Sequence, residues 1–477
     1  MFKKNIYKGL GLVLICAAYT ACKLPEVAQR TENKSVPAAF GGTQDTVSTA
    51  SIQWRKFFTD PNLVNLIDTA LKNNQELNIT LQDIEIAKNE ILFREGALHP
   101  SVSARLGIGV EKVGRYTSQG AGDASTDIKP GKEMPDPLPD FTTAGYASWE
   151  VDIWKKLRNA KKAAISRYLS TVEGKNFVRM NLIAEVASSY YELVALDNQL
   201  EIVQQSISLQ KNALDVVKIQ KEAARATELG VKKFEAEVLG SQSLEFEIRQ
   251  KITETENKIN FLLARYPQPI PRSSINFFDI TPALVHSGIP SQLLANRPDI
   301  RQAEFDLEAT KLDVKVARAE FYPSFNISAA LGFEAFKPGY LVMLPESLLY
   351  SLAGDLAGPL INRRAIKAEF YSANSRQLQA VYNYEKNILN GYIEVSTALS
   401  KIDNLEKNFE LKKQQVDALT RSIEISNDLF KSARADYFEV LMTQRDALEA
   451  KLDLVDTRKE QLNAVINVYR DLGGGWQ

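Results

Sequence analysis

The sequence predicts an α+β membrane protein made of two copies of one helix–strand–strand–helix–helix unit. Two stretches about 220 residues apart, LHPSVSARLGIGVE (98–111) and FYPSFNISAALGFE (321–334), turn at a Pro-Ser pair from helical to alternating spacing. Each is followed by a helical pattern longer than a globular core requires. Beyond the N-terminal signal, no apolar run reaches about 18 residues, so a membrane-crossing part must be a β-barrel.

Residues 1–21 have the features of a secretory signal. Lysines precede the apolar run 9–18, which is too short to span a bilayer. Ala21 before Cys22 resembles a bacterial lipoprotein signal, so we expect Cys22 to carry lipid; an ordinary cleaved signal with a stray cysteine is the alternative. The polar residues 22–52 predict an extended tether.

The first repeat is predicted at 53–288. Helical spacing ends at Pro100, and alternating residues then predict strands at about 101–113 and 142–153. A helical hairpin follows at about 155–266, and prolines mark a connector at 267–288. A helix of about 65 residues is roughly 100 Å long and needs partner helices along its length.

The second repeat is predicted at 289–477. Residues 297–334 align without gaps to 74–111, including both Pro-Ser pairs. Strands are predicted at about 324–336 and 347–361, and a helical hairpin at about 363–472. In all four strands apolar residues alternate with small or polar ones, which suits a wall between lipid and a water-filled lumen.

Four strands cannot close a barrel, because the smallest barrels have about eight. An open sheet in lipid would leave backbone groups unpaired at a cost of several kcal/mol each. Two chains would supply 8 strands, whose interior side chains fill, whereas three would supply 12 and leave a channel. The sequence therefore favours a trimer.

Four motifs carry a family resemblance. LLANRPDIRQAE (293–304) matches almost completely the LLxRRPDIRxAE stretch of TolC-type outer-membrane efflux proteins. WEVDIW (149–154) matches their WELDLWG stretch, with Lys155 in place of the glycine. DYFEVL (436–441) and GGGW (473–476) match their DYLEVL and terminal GGGW stretches. The chain resembles in particular the lipoprotein subgroup of drug and metal efflux channels.

The resemblance implies a homotrimer with a 12-stranded outer-membrane β-barrel continuous with a 12-helix periplasmic α-barrel. The implied partners are a periplasmic adaptor protein, a proton-driven inner-membrane pump and outer-membrane lipid. The channel would be a passive exit duct for small molecules, without a cofactor. The alternative is a periplasmic adaptor lipoprotein, which also pairs a helical hairpin with β-structure but has one long hairpin rather than two.

Candidate aperture residues lie at the turns between each long helix and its return. The family keeps acidic residues on the second turn; Glu439 occupies the position of the first acid, and Met442 that of a second. Asp436, Arg434 and Glu228 are neighbours that could form salt links. Ordinary solvated charges are the alternative for all four.

Small residues at these turns allow close helix approach and predict either adaptor docking or plain packing. They are Ala224, Ala226, Gly230, Ala433 and Ala435.

Aromatic residues near the strand ends are candidates for the girdle that flanks a membrane-spanning sheet: Trp149, Trp154, Tyr146 and Tyr350.

Enzyme chemistry finds little support. The two histidines, His99 and His286, have neither a cysteine partner nor an HExxH spacing, and no P-loop or metal-ligand cluster is present. The net charge of -1 does not favour nucleic-acid binding.

Overall fold

The computed structural model describes residues 25, 27–28, 30–40, 47–272, 277–280, 285–359, 363–432 and 434–476. The predicted signal, Cys22 and Ala433 lie outside this set. Two compact units are present. Unit 1 comprises Glu85–Tyr168, Phe305–Val381 and the described part of Met1–Thr31; unit 2 comprises Glu32–Ile84, Leu169–Glu304 and Tyr382–Gln477. Both units therefore draw on each half of the duplicated sequence.

Seven main helices and four sheet strands make up most of the described chain. The helices are α1 (Pro61–Asn73), α2 (Gln75–Gly96), α3 (Lys156–Glu222), α4 (Glu228–Leu262), α5 (Pro298–Ala319), α6 (Arg364–Lys431) and α7 (Tyr437–Asp471). The strands are β1 (Ser101–Glu111), β2 (Leu138–Val151), β3 (Ser324–Ala335) and β4 (Leu348–Ala357). None of the described helices is apolar enough over a sufficient length to cross a membrane.

Short elements complete the described chain. They are the helices Trp54–Phe57, Ser118–Asp123 and Leu293–Asn296, the 3-10 turns Thr49–Ser51, Phe277–Asp279, Pro290–Gln292 and Pro338–Tyr340, and a hairpin of Asp127–Lys129 with Lys132–Glu133.

The sheet lies in unit 1 and has the order β1-β2-β3-β4, with every neighbouring pair antiparallel. Strand β2 begins at Leu138, four residues before the predicted start at 142. Prolines at 137 and 139 indicate a loop in the sequence. The ladder with β1 nevertheless continues to the pair Leu138 and Glu111, so pairing overrides the local signal.

The core of unit 2 forms around α1. Asp60 caps this helix by accepting a hydrogen bond from the Asn62 amide at 2.8 Å, and Pro61 occupies its first turn. Leu63 and Ile67 are fully buried, as their helical spacing requires. They belong to a cluster with residues of α3, α4 and α7, among them Tyr190, Leu193, Ile259, Val455 and Tyr469.

Part of the segment predicted as a tether packs against unit 2. Phe40 is buried, and its ring stacks on Tyr392 with centroids 5.4 Å apart. The Thr49 amide donates to the His286 carbonyl at 2.9 Å, and the His286 amide donates to the Thr49 hydroxyl at 2.7 Å. The Lys34 ammonium also lies 2.6 Å from the Glu304 carboxylate, so a buried ring, backbone bonds and an ion pair together hold a segment that is mostly polar.

Candidate functional sites: the sheet face and the helical turns

The four strands are in phase, so one face of the sheet is apolar. Residues directly opposite each other in neighbouring strands point to the same face. Val102 lies opposite Ala147, and Ala329 lies opposite Leu352, with Ala147 also opposite Ala329. The same face carries Leu106, Ile108 and Val110 of β1, Phe141 and Trp149 of β2, Ile327, Leu331 and Phe333 of β3, and Leu348, Tyr350 and Leu356 of β4.

The other face is small and polar. Its rows include Ser101 with Ser148 and Ser328, and Glu150 with Asn326 and Asp355.

Tyr146 lies on this polar face, opposite Ser103 and Ala330. Its side chain therefore points away from Trp149 and Tyr350, and its membership of an aromatic girdle stays a prediction. The physical reason is the strand period of two, which separates positions 146 and 149.

Within the residues that the structure describes, the apolar face of the edge strands stays exposed. Leu106 is 86% exposed and Leu352 is 79% exposed. An apolar surface of this extent is typical of contact with lipid or with another chain.

Trp149 and Trp154 lie where strands meet helices, and each donates its indole N–H to a backbone carbonyl. Trp149 donates to Leu98 at 3.0 Å and Trp154 to Pro323 at 2.7 Å. Trp154 also stacks on Tyr322, with ring centroids 4.7 Å apart. The polar end of each indole is thus satisfied while the ring stays available to an apolar environment.

Lys155 adopts a left-handed backbone conformation, with φ of 61°. It stands where the WELDLWG stretch has glycine, the residue that adopts this conformation without steric cost. The chain therefore keeps the turn that the motif encodes but makes it with a strained residue.

The first helical turn ends α3 and begins α4. Ala224 has φ of 55°, and the amides of Ala224 and Arg225 donate to carbonyls in the last turn of α3 at 2.9 and 2.8 Å. Thr227 caps α4 by accepting from the Gly230 amide at 3.2 Å. Glu228 forms an ion pair with Lys221. The hydrogen bond and charge of this lysine lower the pKa of Glu228, so its charge is matched inside the chain.

The second turn joins α6 to α7 and carries charged side chains that form no ion pair within the described chain. Asp436 caps α7 by accepting from the Phe438 amide at 3.3 Å. Arg434 and Glu439 are exposed, and within the part of the chain that the structure describes neither forms an ion pair. The carboxylate of Glu439 therefore stays available to a group outside this chain.

The two turns pack against each other. A Cβ built on Gly230 would lie 3.3 Å from the Tyr437 ring, so glycine permits this close contact. The Lys233 ammonium lies 4.8 Å from the centre of the Phe438 ring. Ala226 contacts the apolar cluster that also includes Leu441. Gly230 and Ala226 thus serve packing inside the chain.

The RPDIR part of the 293–304 motif is a buried charge network. Arg297 is only 4% exposed, and its guanidinium reaches the carboxylates of Asp299 at 2.7 Å and Glu394 at 2.8 Å. It also donates to the Asp471 carbonyl at 2.8 Å. Burial would lower the pKa of Arg297, but the two carboxylates outweigh it and raise the pKa. The motif residue is therefore structural, a role that the spacing alone did not reveal.

The terminal GGGW motif packs beside this network. The Trp476 indole donates to the Asn296 carbonyl at 2.9 Å. Gly473 has φ of 90°, and a Cβ there would lie 2.4 Å from that carbonyl oxygen. Only glycine fits both requirements, so the two motifs, about 175 residues apart, form one packed site.

His99 is exposed, and His286 contacts Thr49 through its backbone. Among the described residues, no group of three or more His, Cys, Asp or Glu side chains could hold a metal ion.

Comparison with known proteins decides the family. The sequence model for outer membrane efflux proteins matches residues 66–265 and 289–474. The chain belongs to the outer membrane efflux protein family. The predicted resemblance is thereby confirmed, and the adaptor alternative is excluded. The protein is an outer-membrane exit duct for efflux and not an enzyme.

Curated relatives cover nearly the whole chain. It is 28% identical to the pyoverdine export outer membrane protein OpmQ of Pseudomonas aeruginosa, over 89% of this chain and 88% of the relative. It is 26% identical to the probable outer membrane lipoprotein SilC of Salmonella typhimurium, over 99% and 97%. It is 25% identical to the cation efflux system protein CusC of Escherichia coli, over 97% and 98%.

Solved structures share the fold. A CusC structure superposes with a TM-score of 0.82 at 23% identity, covering 94% of this chain and 99% of that one. The open-state MtrE outer membrane channel of Neisseria gonorrhoeae superposes with a TM-score of 0.82 at 20% identity, covering 96% and 99%.

Proposed function

We propose that three copies of the chain close one 12-stranded barrel in the outer membrane. The observation that carries this proposal is the in-phase sheet, which has one apolar face and two edges, β1 and β4. A sheet edge in lipid costs several kcal/mol per unpaired backbone group. Pairing β1 of one copy with β4 of the next removes both edges, and twelve strands leave room for solutes.

The helices complete the duct. Each chain supplies two long helices, α3 and α6, and their returns, α4 and α7, so three chains supply twelve helices for a periplasmic tunnel. The partners are a periplasmic adaptor and a proton-driven inner-membrane pump, which provides the energy. The cargo is set by that pump, since the relatives are named for cargo as different as pyoverdine and cations.

We place Glu439 at the periplasmic aperture, flanked by Asp436 and Arg434. Its exposure and its lack of an ion pair in the described chain support this role. Glu228 is a weaker candidate, because Lys221 already neutralises it. The position is tested by the single-channel conductance of a Glu439→Ala variant.

The proposal includes two kinds of contact between the protein and the membrane. Cys22 carries the anchor, and Trp149, Trp154 and Tyr350 contact the membrane interface. The aromatic residues lie on the apolar face or at the strand ends, where such rings are favoured.

Native mass spectrometry of the detergent-extracted complex tests the assembly. We expect three chains per complex. A monomer that stays soluble without detergent would contradict the barrel, because its sheet edges would be unpaired in any bilayer.

A pair of variants in β4 tests which face meets lipid. Leu352→Arg places a charge on the apolar face and should cost about 2–4 kcal/mol near the bilayer midplane, so outer-membrane levels should fall. Ser351→Arg, one residue away on the polar face, is the matched control and should insert normally. Equal insertion of both variants would contradict the assignment of the faces.

A further inference from the structure

A cavity of about 260 Å³ lies in unit 1, where β2, β3 and β4 meet α3, α5 and α6. Its apolar lining includes Ile153, Trp154, Tyr322 and Ile366. Ile153 is 50% exposed and Trp154 is 45% exposed, so this lining opens to the surroundings of the protein. The lining therefore offers apolar side chains at the strand ends, where the proposed barrel would meet the periplasmic side of the membrane.

Polar groups complete the lining. The Lys156 ammonium lies 2.6 Å from the Glu150 carboxylate, and both residues line the cavity. Apolar side chains beside a neutralised ion pair suit an amphiphile whose polar end stays near water. Two further carboxylates line the cavity, Asp152 and Glu320, and Asp152 is paired with Arg158.

Val27 of the N-terminal segment packs on the same apolar cluster as the cavity residue Ile366. Val27 packs against the cluster of Ala317, Phe321, Phe370 and Ala373, and Ile366 packs against the same cluster. Ile366 also lines the cavity. Cys22 is five positions before Val27, and an extended chain spans about 3.3–3.6 Å per residue. Cys22 is therefore within roughly 17 Å of Val27.

We propose that the cavity at Ile153, Trp154 and Ile366 seats an acyl chain carried by Cys22. This rests on the proposed lipidation of Cys22. The chain would lie against the exposed Trp154 and Ile153 side chains, and the polar linkage to the cysteine would lie toward the Glu150 and Lys156 pair. The acyl chain would then fill a cavity of the folded protein at the membrane interface, in addition to anchoring the chain.

Photocrosslinking in cells tests directly whether this cavity holds the acyl chain. Cells that express the full-length protein are fed a fatty acid with a diazirine on its acyl chain, irradiated, and the crosslinked peptides are mapped by mass spectrometry. We expect crosslinks in the peptides that contain Ile153 and Trp154 and in the peptide that contains Ile366. The control is Cys22→Ser exported behind a signal without a lipidation site, in which these crosslinks should fall at least tenfold.

The alternatives give different results. Crosslinks that persist in the Cys22→Ser protein would mean that a membrane phospholipid occupies the cavity, and would overturn the proposal. The mass of the N-terminal peptide reports lipidation separately: an unmodified Cys22 overturns the anchor and the seat together. A lipidated Cys22 without crosslinks at these peptides overturns the seat alone.

A second variant distinguishes loss of the cavity from loss of folding. Ile366→Trp should fill the cavity, and we expect the crosslinks at Ile153 and Trp154 to be lost. The mass of the lipidated N-terminal peptide and the mass of the complex should both stay unchanged. Crosslinking at the wild-type level in this variant would contradict the proposal.

Discussion

Two regions of unit 2 hold charged residues of family motifs, and they differ in almost every physical respect. Arg297 is buried, and its guanidinium contacts two carboxylates and a backbone carbonyl. The second helical turn is exposed, and its Glu439 and Arg434 form no ion pair within the described chain. The first region matches the most specific motif in the sequence, and the second matches a shorter one.

This difference indicates that the most specific sequence motif of a channel need not contain the residues that control the channel. A buried guanidinium must be paired, because an uncompensated charge in a low dielectric is costly, and each partner then becomes indispensable. An exposed carboxylate costs little in water and can respond to another chain or to an ion. We therefore assign the longest motif to folding, and we propose that the turn lies at the aperture.

The largest expected effect comes from Arg297→Met. It leaves the carboxylates of Asp299 and Glu394 and the Asp471 carbonyl without their partner, so stability should fall by about 3–5 kcal/mol. Thermal unfolding of the detergent-solubilised protein measures the loss. Arg434→Met is the matched control on the exposed turn and should leave the unfolding temperature unchanged. Similar losses in both variants would remove the contrast between the regions.

A smaller change in stability, in the opposite direction, is expected for a motif residue of unit 1. Lys155→Gly restores the residue that the family motif has at a left-handed position and should stabilise the protein by about 1 kcal/mol. Lys162→Gly, in the exposed interior of α3, should instead destabilise it by about 1 kcal/mol. Thermal unfolding of the two variants should move in opposite directions. A destabilised Lys155→Gly protein would contradict the strain assigned to this turn.

The smallest energetic effect, and the most direct functional one, is expected at the turns. Glu439→Ala should raise single-channel conductance in planar bilayers roughly two- to fivefold, since an exposed charge contributes only weakly to closure. Its unfolding temperature should not change. Glu228→Ala is the comparison variant and should raise conductance less than Glu439→Ala, because Lys221 already neutralises Glu228. An unchanged conductance in Glu439→Ala would remove Glu439 from the aperture.

Local signals in the sequence failed where pairing between distant segments decided the structure. Prolines 137 and 139 indicate a loop, yet β2 already pairs with β1 there. Phe40 lies in a polar segment and is nevertheless buried against Tyr392. In each case the deciding contact joins residues far apart along the chain.

The sequence by itself determined the duplication, the alternation of each strand and the long helices, because periods of two and 3.6 are properties of local backbone geometry. It also determined the family, through motifs that span nearly the whole chain. Only the tertiary structure decided that Arg297 and Trp476 form one site, that Lys221 neutralises Glu228, and that Val27 and Ile366 pack on one apolar cluster. These depend on which distant side chains meet, and on how far burial strengthens the charges between them.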